Sequence, residues 1–321
     1  MAGGQERILR RRIKSIESTK KITKAMELIA ASQIVRAQTR IAASRPYQQG
    51  MARIVLETAL GDPVAAGRLL GTPESVSKVA VLALVADRGL CGAYNSSVLR
   101  ATERVLAEGA ARGTEQRLFT VGKKAQSYFR FRRQPVERSF VGMSERPTFT
   151  DAREVAAAVL TPFVLGEVDE VLLVSTRFIS AGTQQVEARQ LLPLVDPRGE
   201  GDRTAEGTGP EEGAGRPAGY TEFEPEAAIL LETLAPRAAE TEIFGALLEA
   251  SAAEVTSRQR AMAAASDNAG ELIKKYTRIM NRARQDTITT EIMEIVGGAE
   301  ALRAAAGEDE GGLVIETAVT P

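Results

Sequence analysis

The sequence predicts an α/β fold in which two long terminal helices flank a middle segment of alternating strands and helices. Twelve of the thirteen prolines lie between Pro46 and Pro236, and the other is Pro321. Proline removes a backbone donor and clashes with the preceding turn, so the proline-free runs 5–45 and 237–306 can each form one continuous helix. Short apolar runs separated by helical segments fill the middle. This arrangement is unusual for an enzyme and indicates a mechanical part.

The first helix is predicted from Gln5 to about Leu60. Its apolar residues recur at helical spacing between Lys and Arg residues. They are Met26, Ile29, Ala30, Ile34, Ala37 and Ile41. Pro46 lies inside this segment, where it either starts a second helix or only kinks the first.

The middle segment is predicted to form a mostly parallel sheet covered by helices. Its predicted strands are Val79–Val85, Leu118–Val121 and Val171–Thr176, with Glu187–Leu194 expected to pair beside the last. Its predicted helices are Ser96–Ala111, Lys123–Phe131 and Asp151–Leu165, the last capped by Thr150. Residues 197–219 are rich in Gly, Pro, Glu and Arg without an apolar period, which predicts a flexible loop.

The C-terminal helix carries a clear apolar seam. Steps of four and three residues, typical of a coiled coil, join Ile288, Ile292, Ile295, Ala299 and Leu302. Small residues keep a similar spacing upstream, at Ala246, Ala250, Ala253, Ser257, Ala261 and Ala264. Because such thin stripes cannot stabilise so long a helix alone, each terminal helix needs the other or an enclosing partner. The predicted segments are therefore an N-terminal coiled-coil helix (1–60), an α/β domain (75–225), a C-terminal coiled-coil helix (226–306) and a flexible acidic tail (307–321).

Composition excludes several kinds of chemistry. The chain has no histidine and one cysteine, Cys91, which excludes His-based triads, His-containing zinc sites and internal disulfides. No apolar run reaches the ~20 residues of a membrane span, and no secretory signal is evident. The turn Asp87–Asn95 lacks a dinucleotide or P-loop glycine pattern, and Cys91 is expected to be a buried or inert thiol rather than a nucleophile. No catalytic, cofactor-binding or metal-binding residues are predicted, and we expect a soluble protein of a reducing cytoplasm.

Two alternative functions rest on the residues themselves. Residues 1–53 carry twelve Lys and Arg against three acids, although the formal net charge of the whole chain is −1. A coiled-coil scaffold whose basic arm binds nucleic acid or lipid is one alternative, and it predicts salt-sensitive binding. A nucleotide-dependent enzyme built on the α/β middle is the other, and the missing glycine pattern disfavours it.

Three segments carry a family resemblance. They are residues 18–32 (STKKITKAMELIAAS), the turn 87–92 (DRGLCG) and residues 281–299 (NRARQDTITTEIMEIVGGA). In this order and spacing they resemble the gamma subunit of F-type, rotary ATP synthases, and the resemblance runs from about Arg7 to Leu302. The lack of an evident targeting peptide and the Ala, Arg and Gly bias indicate a bacterial member.

The resemblance implies a long antiparallel coiled coil of the N- and C-terminal helices with a Rossmann-like α/β foot domain. It implies a central-stalk rotor subunit that transmits rotation of the proton-driven c-ring to catalytic beta subunits, without chemistry of its own. The implied partners are the alpha and beta subunits, the epsilon subunit and the membrane c-ring, with no nucleic acid and no small-molecule substrate. The implied location is peripheral, at the cytoplasmic face of the bacterial cell membrane. Without the paired cysteines of the chloroplast type, thiol switching is excluded.

The resemblance also implies contact residues. Those expected to contact the beta subunit are Lys24, Met26, Glu27, Arg284 and Gln285. Those expected to face the c-ring are Phe223, Glu224 and Glu226. Seam packing is the alternative for Met26, and an ion pair with Asp286 or Glu291 is the alternative for Arg284. A solvated loop before a helix is the alternative for the c-ring group.

Overall fold

A computed structural model describes residues 2–61, 75–194 and 224–308. Its helices are α1 (Ala2–Gly61), α2 (Tyr94–Ala111), α3 (Lys123–Phe131), α4 (Phe149–Val164) and α5 (Ala227–Glu308). Its strands are β1 (Lys78–Leu84), β2 (Glu115–Val121), β3 (Arg138–Phe140), β4 (Glu170–Phe178) and β5 (Gln184–Leu192). The predicted loop 197–219 and all but the first two residues of the predicted tail 307–321 lie outside the described residues.

The strands of the described chain form one sheet in the order β3-β2-β1-β4-β5. β1 pairs in parallel with β2 and β4, β2 pairs in parallel with β3, and β5 runs antiparallel to β4. The predicted α/β fold with a mostly parallel sheet is therefore confirmed. β3 escaped prediction because its three residues contain no apolar run.

Successive side chains of β1 point to opposite faces of the sheet, so the apolar core is divided between the two faces. Val79 and Val81 pack with residues of α2 and α3, whereas Ala80 and Leu82 pack with residues of α4 and α5. The first layer includes Val98, Leu118 and Phe129, and the second includes Phe119, Val155, Phe163 and Ile243. Burial of each large apolar side chain contributes about 1.5–3 kcal/mol. The sheet is covered by helices on both faces, as a central parallel strand requires.

The chain divides into two compact units. The described residues of Met1–Ala25 and Ala263–Pro321 form the terminal unit, and Met26–Met262 forms the central unit. In the central unit, Ile41 of α1 packs with Ala252 of α5, and further along α1 Val55 packs with Leu231. Rising numbers on α1 meet falling numbers on α5, so the two helices are antiparallel there.

Both long helices continue through a proline. Pro46 lies inside α1, which neither ends nor restarts there. Pro236 lies inside α5, which begins at Ala227, ten residues before the proline-free run that starts at Arg237. The flanking Ala235 and Ala238 are buried, and this packing offsets the backbone hydrogen bond that proline removes.

The predicted cap of α4 is also wrong. The N-cap is Thr148, not Thr150, and its hydroxyl accepts a hydrogen bond from the backbone N–H of Asp151. The Asp151 carboxylate in turn accepts from the Thr148 N–H at 2.7 Å, which closes a reciprocal capping box. A carboxylate three residues after a threonine was the signal that identifies the true cap.

No helix within the described ranges is long and apolar enough to cross a membrane.

We predict that Gly122→Ala destabilises the central unit far more than Gly113→Ala. Both glycines have positive φ, +98° and +74°, so each substitution strains the backbone by about 1–2 kcal/mol. A Cβ at Gly122 would also lie 2.1 Å from the Val85 carbonyl oxygen, whereas a Cβ at Gly113 meets nothing within 4 Å. Urea unfolding is expected to show at least ~2 kcal/mol more loss for Gly122→Ala. Equal losses for the two variants would contradict this account.

Candidate interaction surfaces

The last part of α5 presents apolar side chains that no described residue covers. Ile288, Ile292, Ile295 and Leu302 are 44%, 54%, 72% and 74% exposed. They were predicted to form a coiled-coil seam on a helix that needs the N-terminal helix or an enclosing partner, and the described residues leave them exposed. We call residues 288–304 of α5, whose side chains are all exposed, the tip surface.

Within the described residues, α5 continues further past its contact with α1 than α1 does. A Cβ on Gly270 of α5 would lie 3.1 Å from the Lys20 ammonium of α1, so the two helices are adjacent there. Eighteen residues of α1 precede Lys20, whereas thirty-eight residues of α5 follow Gly270. α5 therefore extends well beyond the reach of its partner helix. An apolar row of this kind marks an interaction site.

Arg284 and Gln285 lie on the exposed helix just before the tip surface. Arg284 forms no ion pair with Asp286 or Glu291, nor with any other acid in the described residues. The intrachain alternative for Arg284 therefore has no support. The Gln285 backbone carbonyl accepts a hydrogen bond from the Thr289 hydroxyl at 3.0 Å, and its side chain is exposed. Both side chains are available to a partner.

The predicted beta-contact residues of α1 differ in exposure. Lys24 is exposed, whereas Met26 and Glu27 are half-buried. Thr23 and Ala30 are the buried residues of this stretch, whereas Ile29, one of the apolar residues at helical spacing, is exposed. Half-burial of Met26 fits seam packing and partner contact equally, so both interpretations stay open.

The predicted c-ring group lies at the start of α5. Glu224 and Glu226 are exposed, and Phe223 lies outside the described residues. The Glu226 carbonyl oxygen accepts hydrogen bonds from the N–H groups of Ile229 and Leu230 at 3.0 and 3.2 Å, which starts the helix. Both carboxylates are thus held next to a helix start and face solvent.

A carboxylate that sequence analysis assigned no role joins three strands at their carboxyl ends. Asp87, which follows β1, accepts hydrogen bonds from the backbone N–H groups of Lys123 (2.9 Å), Gly142 (3.0 Å) and Ser144 (3.1 Å). Burial by itself raises the pKa of Asp87, but these hydrogen bonds outweigh it and hold the pKa below its ordinary value. Asp87 also occupies the start of α3, where an anionic ligand would otherwise bind.

A buried ion pair fastens the same turn to α5. The Arg258 guanidinium donates to the Glu254 carboxylate at 2.6 Å and to the Gly89 carbonyl oxygen at 3.3 Å. Burial raises the pKa of Glu254 despite this pairing. Cys91 and Tyr94 are buried nearby, and burial raises the pKa of both. The prediction of a buried Cys91 is confirmed.

Comparison with known proteins decides the family. Residues 5–302 match the family model described as ATP synthase. The chain is 46% identical over 307 residues to the ATP synthase gamma chain of Parafrankia sp. (strain EAN1pec), covering 94% of this chain and 99% of the relative. It is also 46% identical over 310 residues to that of Acidothermus cellulolyticus, covering 95% and 100%. The chain belongs to the ATP synthase gamma chain family.

Solved structures agree with the fold of this gamma-family chain. A chain of the Euglena gracilis mitochondrial ATP synthase (OSCP/F1/c-ring) aligns with a TM-score of 0.65 at 17% identity, covering 99% of this chain and 100% of that one. A chain of the Tetrahymena thermophila mitochondrial ATP synthase central stalk and c-ring aligns with a TM-score of 0.56 at 24% identity, covering 76% and 99%. The predicted combination of terminal helices and α/β domain is a fold shared with these chains.

We predict that Asp87→Asn removes part of the acid sensitivity of the gamma-family fold. Because the folded-state pKa of Asp87 is depressed, its stabilisation is full above the unfolded-state pKa and is lost as pH falls through the folded-state pKa. Wild type should therefore lose more free energy of unfolding than Asp87→Asn between about pH 6 and pH 3. Urea unfolding at several pH values measures this, and parallel pH profiles for the two proteins would contradict it.

We predict that Arg258→Met destabilises the chain by about 3–5 kcal/mol, because it leaves the Glu254 carboxylate buried without its cation. The double variant Arg258→Met/Glu254→Gln should recover most of this loss. Arg10→Met breaks an exposed pair with Glu6 of the same i,i+4 spacing and serves as the control, with little expected effect. Urea unfolding of the three variants tests the account, and failure of the double variant to recover stability would overturn it.

Proposed function

We propose that this chain is the central-stalk rotor subunit of a bacterial F-type ATP synthase. In this role it transmits rotation of a proton-driven c-ring to conformational changes at the catalytic beta subunits. The observation that carries the proposal is the match to gamma chains over nearly the full length of both sequences. The alpha and beta subunits would surround the helices, and the epsilon subunit and c-ring would contact the α/β domain.

The mechanism needs no chemistry on this chain. A shaft without threefold symmetry cannot contact three equivalent beta subunits in the same way, so it holds them in different conformations. Each conformation is favoured only by the difference between its contacts with the shaft and those of the other conformations. Rotation by the c-ring would then change which beta subunit has the favourable contacts.

The tip surface supports enclosure of α5 by partner subunits. Its exposed row Ile288, Ile292, Ile295 and Leu302 has no cover among the described residues, and an apolar sleeve would remove it from water. Arg284 lies next to this row and forms no ion pair within the described residues, so it can bind acceptors on a beta subunit. Lys24, Met26 and Glu27 are proposed as further beta contacts.

ATP chemistry is proposed to occur on the beta subunits. Two carboxylates of the central unit have structural partners: the half-buried Asp87 accepts from three backbone N–H groups, and the buried Glu254 pairs with Arg258. These contacts support a non-catalytic role. We further propose a peripheral location at the cytoplasmic face of the membrane, with Phe223, Glu224 and Glu226 facing the c-ring.

Purification of the native complex from membranes, followed by identification of its subunits, tests the proposed function. Alpha, beta, epsilon and c subunits are expected to copurify with the chain. Their absence would contradict the rotor role. Salt-sensitive binding of the isolated chain to DNA or anionic vesicles, in the absence of those subunits, would favour the scaffold with a basic arm.

We predict that Arg284→Ala and Gln285→Ala each lower coupled ATP synthesis by at least about fivefold while the complex still assembles. The reason is the loss of contacts that differ between beta conformations. Arg282→Ala is the matched control, because it removes an exposed arginine two residues away, about 200° around the helix. Synthesis in inverted membrane vesicles and gel analysis of assembly are the measurements. Full synthesis in both test variants would remove these residues from the interface.

A further inference from the structure

A groove of about 630 Å³ lies between α2 and α3 on one face of the sheet. β1 and β2 are parallel neighbours and each is followed by one of these helices, so α2 and α3 run in the same direction. Both helices pack into the same apolar cluster on the sheet. Every residue that lines the groove belongs to one of the two helices, and the proposed function assigns a role to none of them.

The floor of the groove is apolar, and one of its walls ends in an uncovered aromatic ring. Leu99 is 7% exposed and Tyr128 is half-buried, whereas the Phe131 side chain is 83% exposed. The three side chains line the same groove, so they form one continuous apolar surface. A surface of this kind, rimmed by polar residues, marks an interaction site.

Positive charge surrounds this floor. No acidic residue occurs between Glu115 and Glu137, whereas five Lys and Arg residues occur from 123 to 133. Lys124 lies on the α3 side of the groove, and Arg100 lies on the α2 side. Neither forms an ion pair with an acid of the described ranges, and no lining residue is acidic. The groove therefore favours a partner that carries negative charge.

Two acids close to these helices are already engaged. Glu103 of α2 accepts a hydrogen bond from the Arg132 guanidinium at 3.0 Å. Asp87 accepts from three backbone N–H groups, one of which belongs to Lys123, the first residue of α3. The start of α3 is thus occupied by a carboxylate of the chain itself. Attraction for a negative partner comes from the side chains along the groove and not from the helix dipole.

The shape of the surface favours a helix over a lipid bilayer. A bilayer contacts outward-facing side chains, whereas Leu99 lies at the bottom of a groove between two helices. An amphipathic helix can place its apolar face into such a groove and keep its polar flanks beside the walls. Acidic flanks would then meet Arg100 on one side and Lys124 on the other.

We propose that the groove between α2 and α3 binds an acidic amphipathic helix of a partner protein. Apolar side chains of the partner pack on Leu99, Tyr128 and Phe131, and its carboxylates pair with Arg100 and Lys124. Exposed ion pairs contribute little to affinity, so the apolar floor supplies most of it and the charges select the partner. The site is separate from the proposed beta and c-ring contact residues.

The first test measures binding of a labelled synthetic peptide of about 18 residues to the purified full chain by fluorescence anisotropy. Its leucines have i, i+3, i+4 and i+7 spacing and its other positions are glutamate and alanine, which gives an acidic amphipathic helix. Saturable binding that weakens with added salt is expected. A scrambled peptide of the same composition should bind at least about fivefold more weakly, and a peptide with lysine for glutamate should not bind.

Variants of the chain locate the binding. Phe131→Ser and the double variant Arg100→Glu/Lys124→Glu should each weaken binding of the amphipathic peptide by about tenfold or more. All three side chains are exposed, so both variants should stay folded, which circular dichroism checks. Arg45→Glu is the matched control, because it reverses an exposed arginine of α1 outside the groove. Equal affinity of wild type and groove variants, or equal binding of the scrambled peptide, would overturn the proposal.

The second test uses the chain in its native assembly. A photoreactive benzoylphenylalanine replaces Ser127 in the groove or, as the control, the exposed Ala157 on α4. Mass spectrometry after irradiation should find an acidic amphipathic segment joined to the first position and not to the second. A cross-link to a non-acidic segment, to a second copy of this chain or to lipid would overturn the proposal. Copurification of alpha, beta and c subunits is scored separately, so failure of this site and failure of the rotor role remain distinguishable.

Discussion

Between Leu231 and Ala253, α5 packs on the sheet with one side and on α1 with another, and this shared burial holds the central unit together. Ala246 and Ala250 lie against the sheet core, whereas Ala252 and Ala253 lie in the cluster that contains Ile41 of α1. A helix buried on several sides cannot show a single apolar stripe. Alanine at these contacts lets the backbones approach closely, and larger side chains there would overpack the core. The small residues that recur along α5 therefore set the distance between α5 and the elements packed against it.

The same helix changes character along its length. Around Ile243 nearly every side chain is buried, whereas every side chain of the tip surface is exposed. A helix without tertiary contacts is only marginally stable in water, even at favourable composition. The tip surface thus depends on a partner in a way that the buried stretch does not. For a gamma-family chain, this places the need for partner subunits at the end of α5 that its own α1 does not reach.

Much of the fold was predictable because the spacing of apolar residues and the positions of proline indicate where helices and strands can form. The bounds of α3, Lys123–Phe131, were predicted without error, since an apolar strand and a glycine precede it and a buried Phe129 anchors it. The failures have tertiary causes. Pro236 does not interrupt α5 because buried neighbours compensate for the lost hydrogen bond, and the seam at Ile288 has no cover among the described residues. Single-sequence periodicity shows that a face is apolar, but it does not show what covers that face.

The candidate sites were less accessible to sequence reasoning, since they depend on groups brought together from distant segments. The role of Asp87 depends on backbone N–H groups at Lys123 and Gly142, which carry no side-chain signal. No local pattern links these positions. Arg284 and Gln285, in contrast, were predicted as contact residues from family resemblance, and the structure adds that Arg284 forms no ion pair within the described residues.

Hydrogen bonds between α5 and the loops of the sheet fix the position and rotation of the helix, which alanine packing alone does not. A smooth apolar interface resists separation, yet it allows a helix to slide or turn because such contacts are non-directional. Hydrogen bonds fix both position and rotation. The Ser251 hydroxyl donates to the Glu145 carbonyl oxygen at 2.8 Å, and the Glu249 carboxylate accepts from the Phe178 N–H at 3.3 Å. Together with the bond from Arg258 to Gly89, these contacts fasten α5 after β3, at the end of β4 and after β1. A helix that must carry torque into a sheet requires contacts of this kind, and they lie where α5 crosses the carboxyl ends of the strands.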